Sequence, residues 1–129
     1  MKKRFLQTQR YFNNRSDIAF AYLFGSIASE KSTGLSDIDI AVYLLKEDFA
    51  KKRLEILGDL IDIFKIDDID LVVLNSASPS LKIRIIRSKK VLSDNMPFLR
   101  HRFESSVIRT YFDFSKIESR ILEKRYLHG

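Results

Sequence analysis

Cysteine is absent from the 129 residues, which excludes disulfide staples, zinc ribbons and thiol nucleophiles and leaves oxygen ligands as the means of holding a metal. The absence also fits a reducing compartment, and the protein is expected to be cytoplasmic. Glycine (4) and proline (2) are scarce, so neither a flexible linker nor a low-complexity tract is visible, and no internal repeat divides the chain. No run approaches the roughly 20 apolar residues of a membrane span. The basic start from Met1 to Arg10 is not followed by the apolar stretch of a secretory leader. His101 and His128 are the only histidines, and they show no metal-ligand spacing.

What is present suffices for a packed interior. Apolar residues make up 45% of the chain and charged residues 31%, at a length close to the modal domain size, so residues 1–129 are read as one domain. The net charge of +6 favours a polyanionic partner without choosing one. Its distribution is uneven. Residues 1–81 carry 11 basic and 12 acidic side chains, whereas residues 82–129 carry 12 basic and 5 acidic.

Periodicity outlines an α/β order. Residues 3–15 have a helical spacing of Phe5, Leu6, Tyr11 and Phe12, and Ile18 to Phe24 is apolar on both faces, as a central strand would be. After Gly25-Ser26 a helical turn from Ile27 and a loop at Ser32-Thr33-Gly34 are expected, and then a strand from Asp37 to Leu44. Ala50, Leu54, Leu57, Ile61 and Phe64 predict a helix over Glu47 to Phe64 with that stripe facing the core. Ile69 to Leu74 reads as a third strand, Ser78-Pro79 as the cap of a helix over about 79–87, and Lys90 to Leu92 as an edge strand. From Pro97 onward, Leu99, Phe103, Val107, Tyr111, Phe114 and Ile121 predict one or two helices that cover the sheet, as core or interface. The fold class is α/β, a small mixed β-sheet flanked by helices.

The chemistry concentrates in Gly25-Ser26, ten intervening residues, then Asp37-Ile38-Asp39. Residues two apart on a strand share a face, which sets these two carboxylates roughly 6–7 Å apart. Such a pair amid apolar neighbours either lies on a solvated strand end or holds a cation, and hard oxygen donors suit Mg²⁺. Gly25-Ser26 reads either as a simple turn or as a phosphate cradle, with Gly allowing close backbone approach and Ser supplying a hydroxyl and an amide. Asp70 adds a third carboxylate inside an apolar strand, where a charge has little structural reason to be. Asp68 rivals it by spacing, but Asp70 is favoured because apolar residues flank it on both sides. Lys82, Arg84, Arg87, Lys89 and Lys90 form a basic stretch suited to a solvated helix face, to phosphates or to a partner.

Three segments together resemble a known family: Ala21-Tyr22-Leu23-Phe24-Gly25-Ser26-Ile27-Ala28, Ser36-Asp37-Ile38-Asp39-Ile40-Ala41-Val42 and Asp70-Leu71-Val72-Val73-Leu74-Asn75. The pattern resembles the DNA polymerase β-type nucleotidyltransferase superfamily and, within it, the MNT-type minimal nucleotidyltransferases, antitoxin partners of HEPN-domain ribonuclease toxins. The resemblance implies the polymerase β-type nucleotidyltransferase fold, ATP as substrate and two Mg²⁺ ions. Asp37, Asp39 and Asp70 would be the catalytic and metal-binding residues, and Gly25 and Ser26 would bind the nucleotide. It further implies transfer of AMP to a tyrosine of a cognate HEPN toxin, in a hetero-oligomer with that toxin and away from any membrane. Two other readings stay open: neutralisation by stoichiometric binding alone, and nucleotidyl transfer to a small molecule or an RNA. Larger relatives such as kanamycin nucleotidyltransferase carry an additional helical substrate domain, for which this chain has no room.

Overall fold

The structure is a computed structural model that describes residues 2–25 and 38–126. Ser26, Asp37, the turn expected from Ile27, the loop at 32–34 and His128 lie outside the described residues. In chain order the elements are α1 (Lys2–Asn13), β1 (Ile18–Phe24), β2 (Ile38–Leu44), α2 (Phe49–Phe64), β3 (Ile69–Val73), a 3-10 turn (Leu74–Ser76), α3 (Pro79–Ser88), β4 (Lys90–Asp94) and α4 (Pro97–Tyr126). The strands form one mixed sheet in the order β3-β2-β1-β4, in which β2 and β3 run parallel and β1 is antiparallel to both of its neighbours. This is the expected α/β class.

Helices cover both faces of the sheet. On one face Ile18, Ala21, Leu23, Ile38, Ile40, Val42, Leu44, Leu71 and Val73 pack with Phe12 of α1 and Ile56, Leu60 and Phe64 of α2. On the other, Phe20, Tyr22, Phe24 and Ala41 pack with Ile85 of α3 and Phe103 of α4. All seven residues of β1 are buried, which accounts for its unbroken apolar sequence. Where the chain runs from β3 into the 3-10 turn, Asn75 acts in place of a further strand residue. Its Oδ1 accepts from the Leu44 amide at 2.8 Å and its Nδ2 donates to the Leu44 carbonyl at 2.9 Å. Arg53 Nε donates to the Leu71 carbonyl at 2.9 Å and covers part of the β3 edge.

Three expectations change. In α2 Phe64 is buried and Leu57 and Ile61 pack against the core as expected, but Ile56 and Leu60 are the other buried positions, while Leu54 is 67% exposed and Ala50 is exposed. This helix is apolar along two adjacent phases of the 3.6-residue period, and the strand-facing phase is one step from the one that begins at Ala50. Leu74 leaves the third strand to start the 3-10 turn. The C-terminal segment is a single helix; among its described side chains Leu99 and Phe103 pack against the second core layer and Val107 is buried, whereas Tyr111 and Ile121 are exposed.

Capping follows local chemistry. Ser78 Oγ accepts from the Leu81 amide at 3.2 Å with Pro79 at the first helical position, as the sequence predicts. Helix α2 closes on Lys65, whose φ of 61° is left-handed and whose amide donates to the Ile61 carbonyl at 2.8 Å. A side chain there is held at a cost of about 1–2 kcal/mol that glycine avoids. Lys65→Gly is therefore expected to stabilise the fold by about 0.5–1 kcal/mol in urea denaturation, the remainder being offset by the freedom glycine adds to the unfolded chain.

Entry into β1 is fixed by charge. Arg15 donates to both oxygens of Asp17 at 2.9 and 2.7 Å, and Lys52 of α2 lies 2.9 Å from Asp17 Oδ2. The hydrogen bond from Arg15, helped by Lys52, holds the largely buried Asp17 carboxyl well below the usual carboxylate range. A carboxylate with a lowered native pKa contributes stability that is complete above its ordinary value of about 3.9 and is lost as pH falls through the native value. The thermal midpoint should accordingly fall as pH drops below about 4, and Asp17→Asn should flatten that slope. An unchanged slope in the variant would remove Asp17 from the account.

Candidate active site

Strand pairing builds the site. In the register of β1 with β2, Phe24 is opposite Asp39, and in that of β2 with β3, Asp39 is opposite Asp70. Side chains alternate, so Ile38, Ile40 and Val42 join one core layer while Asp39 shares the opposite face with Ala41. The same alternation puts Ile69, Leu71 and Val73 in the first layer and Asp70 with Val72 in the second. Both carboxylates thus stand on the face covered by α3 and α4, on strands about 4.8 Å apart. Asp39 is half-buried and Asp70 is exposed.

Gly25 closes the other side of Asp39. Its φ of 77° is left-handed, and a Cβ built on it would run into Asp39 Oδ2 and lie 3.1 Å from Asp39 Cγ. Glycine is required twice here, for the backbone conformation and for the space. Of the residues that the sequence singles out, the fold brings Gly25, Asp39 and Asp70 into one row at one end of the sheet. Asp68 is not in that row. It lies before β3, two residues ahead of Asp70, and its backbone carbonyl accepts from the Ile38 amide at 3.0 Å.

Two adjacent carboxylates with a glycine at their flank fit a hard divalent cation, which accepts one or two protein carboxylates and keeps several waters. Among the described residues no group of three His, Cys, Asp or Glu side chains stands close enough to hold a metal. Asp39 and Asp70 are two carboxylates of the kind such a cation accepts, and Asp37 lies outside the described residues.

Sequence reasoning missed a polar cluster above the same face. Tyr22, on β1, donates to Glu104 Oε2 at 3.1 Å; Lys89 Nζ lies 3.2 Å from Glu104 Oε1 and 5.3 Å from the Tyr22 ring centroid. Arg100 donates to Glu104 at 2.9 Å and forms an ion pair with Asp94 at 3.0 Å. Burial pushes the Tyr22 hydroxyl far above its ordinary value, with Glu104 adding to the effect. Burial also works to raise the Glu104 carboxyl, but the Lys89 and Arg100 contacts outweigh it and hold Glu104 ionised below its usual range. The one signal in the sequence was the i,i+4 spacing of Arg100 and Glu104. The cluster divides the basic stretch: Lys89 is committed to Glu104, Lys82 sits 5.9 Å from the Phe103 ring centroid, and Arg84 and Arg87 remain exposed. His101 is exposed, as expected of a surface residue.

Comparison with known proteins agrees with this fold. A family model described as polymerase beta, nucleotidyltransferase matches residues 7–97. A crystal structure of a toxin-antitoxin with AMP-PNP superposes with a TM-score of 0.73 at 26% identity, covering 95% of this chain and 96% of that one. A tri-AMPylated Shewanella oneidensis HEPN toxin in complex with MNT antitoxin gives a TM-score of 0.71 at 24% identity, covering 95% and 96%. The toxin-antitoxin MntA-HepT gives 0.71 at 24%, covering 96% and 97%. No curated protein sequence matches the chain.

The shared space of Gly25 and Asp39 is open to a double-mutant cycle. Gly25→Ala should destabilise the protein by about 1–3 kcal/mol, from positive φ and from the clash. In an Asp39→Ala background only the backbone strain remains, so the cost of Gly25→Ala should fall by about 1 kcal/mol. Equal costs in both backgrounds would contradict the packing described.

Proposed function

The chain belongs to the polymerase beta nucleotidyltransferase family, and from that premise we propose that it is an antitoxin that transfers AMP from ATP to a tyrosine of a cognate HEPN toxin. The observation that carries the reading is the row Gly25, Asp39, Asp70, in which register pairs the two carboxylates and a left-handed glycine leaves room beside one of them. The similarity to a toxin-antitoxin structure with AMP-PNP, and the tri-AMPylated state of the toxin in another neighbour, support the donor and the acceptor class.

In this reading Asp37, Asp39 and Asp70 would hold Mg²⁺, two ions when the site is loaded, and the metal would supply Lewis-acid polarisation of the triphosphate and neutralise its charge. The chain's own residues do the positioning. Gly25 lets the backbone come close to the phosphates, and Ser26 would donate to the β- and γ-phosphate oxygens and steady the departing diphosphate. Asp70, exposed at the sheet end, would accept the proton of the incoming tyrosine hydroxyl. The phenolate oxygen then bonds to the α-phosphorus as the bond from that phosphorus to the bridging oxygen breaks, and diphosphate leaves. Adenylate on the toxin adds negative charge and bulk beside its catalytic region. No helix among the described residues is long and apolar enough to cross a membrane, and the cytoplasm is the compartment that matches ATP and the absence of cysteine.

Incubation of the full chain with ATP, Mg²⁺ and its cognate HEPN protein should add whole adenylate increments to the HEPN protein by intact mass, on a tyrosine by fragmentation. Asp39→Ala or Asp70→Ala should slow the increment at least about 100-fold, since metal polarisation is worth several kcal/mol and each 1.36 kcal/mol is tenfold. Inhibition of the toxin without any mass gain would replace catalysis by stoichiometric binding. Label in a small molecule or RNA would move the acceptor elsewhere.

A further inference from the structure

The row that holds the candidate site continues onto β4. Leu23 is opposite Lys90, so Lys89, one residue earlier with extended backbone, comes level with Phe24, as Asp39 does on the other side of β1. Lys89 also points to the carboxylate face. Its Nζ lies 3.2 Å from Glu104 of α4 and 5.3 Å from the ring centroid of Tyr22, which belongs to the core layer on that face. Across the sheet, one level of this face thus carries Asp70, Asp39, Phe24 with Gly25 directly after it, and Lys89. At about 4.8 Å per strand the backbones of Lys89 and Asp39 stand about 10 Å apart with the glycine turn between them, and the row from Asp70 to Lys89 spans about 14 Å.

Glu104 has more donors than it needs. Arg100 Nη1 donates to its two oxygens at 2.9 and 3.4 Å, and the Tyr22 hydroxyl donates at 3.1 Å, so this carboxylate stays paired when Lys89 leaves it. Lys89 follows the last turn of α3, and its side chain is 20% exposed, so the ammonium is not sealed beneath α4. A compact charge on a flexible four-carbon stem changes partners readily. A polyphosphate carries several anionic oxygens and draws it more strongly than a carboxylate already shared among three donors.

We propose that Lys89 is the cation that takes the terminal phosphates of the nucleotide, and that Glu104 is the positioning residue that holds its ammonium at the edge of the site. The proposal rests on the nucleotidyl-transfer reading above and gives the bound nucleotide a direction. In that reading Asp70 meets the acceptor, so the α-phosphate lies toward the carboxylate end of the row and the β- and γ-phosphates toward Gly25 and Lys89. A nucleotide with terminal phosphates gains the Lys89 contact, and one that ends at the α-phosphate does not.

Calorimetric titration of the full chain with a non-hydrolysable ATP analogue and with AMP, both in Mg²⁺, tests this. Lys89→Met should keep the wild-type melting, since Glu104 retains Arg100 and Tyr22. It should weaken binding of the analogue at least about tenfold, as loss of a charge-assisted hydrogen bond does, and change binding of AMP less than about twofold. Glu104→Gln, which loosens the hold on Lys89, should bind the analogue at least as tightly as the wild type. Lys82→Met removes the same charge from α3 beside Phe103 and should bind as wild type. Wild-type affinity for the analogue in Lys89→Met would overturn the proposal. So would equal weakening of analogue and AMP in that variant, or a loss in Glu104→Gln as large as in Lys89→Met, since the pair would then act only by fastening α4. The two readings fail separately. A wild type that binds no analogue overturns the nucleotide site and Lys89 with it, whereas binding that Lys89→Met retains in full overturns the role of Lys89 alone.

Discussion

Asp39 and Asp70 are held side by side against their own repulsion, and the rest of the molecule is arranged around that placement. At the spacing of about 4.8 Å between neighbouring strands, two carboxylates repel by about 1 kcal/mol in water, the limit that suits the exposed Asp70. On the reverse face of the same two strands, Ile38, Ile40, Val42, Leu44, Ile69, Leu71 and Val73 are buried against α1 and α2. At about 1.5–3 kcal/mol for each buried aliphatic side chain, that layer contributes on the order of 10 kcal/mol or more. Packing wins, and the register that pairs the acids is fixed by residues that never touch them. A slip of one residue would move both acids into that apolar layer.

The same constraint explains the polar hardware elsewhere. Asn75 ties the end of β3 to the end of β2, and Arg53 bonds the edge of β3, so the strand carrying Asp70 is fixed from both sides although it lies at the sheet margin. Tyr22, Glu104, Lys89, Arg100 and Asp94 fasten α4 over the carboxylate face. The acidic site belongs to the half of the chain with no positive surplus, whereas the surplus lies on α3, β4 and α4. A net +6 therefore conceals an uneven distribution, with the carboxylate row in one half of the sequence and the positive surplus in the other.

Much of this was legible in the sequence because the governing patterns are local. Alternation in Ile38 to Leu44 and Ile69 to Val73 placed Asp39 and Asp70 at strand starts, Gly25 marked a close approach, and Ser78-Pro79 marked a helix cap. What escaped was set by tertiary contact. Leu54 belongs to an apolar stripe as regular as the buried one, and only the direction from which the sheet approaches α2 leaves it in water. The Tyr22 cluster joins residues 82 positions apart, a pairing that no local window contains. In α4 the apolar period runs on past Val107 without change, so periodicity alone could not tell the residues that meet the sheet from those that do not.

The central proposal is that Asp70, rather than Asp68, joins Asp37 and Asp39 in the nucleotide and metal site. Calorimetric titration of a non-hydrolysable ATP analogue in the presence of Mg²⁺ tests it most directly, with Asp70→Asn and Asp68→Asn compared with the wild type. The account predicts that Asp70→Asn loses metal-dependent nucleotide binding and that Asp68→Asn retains it. Retention by Asp70→Asn together with loss in Asp68→Asn would contradict it.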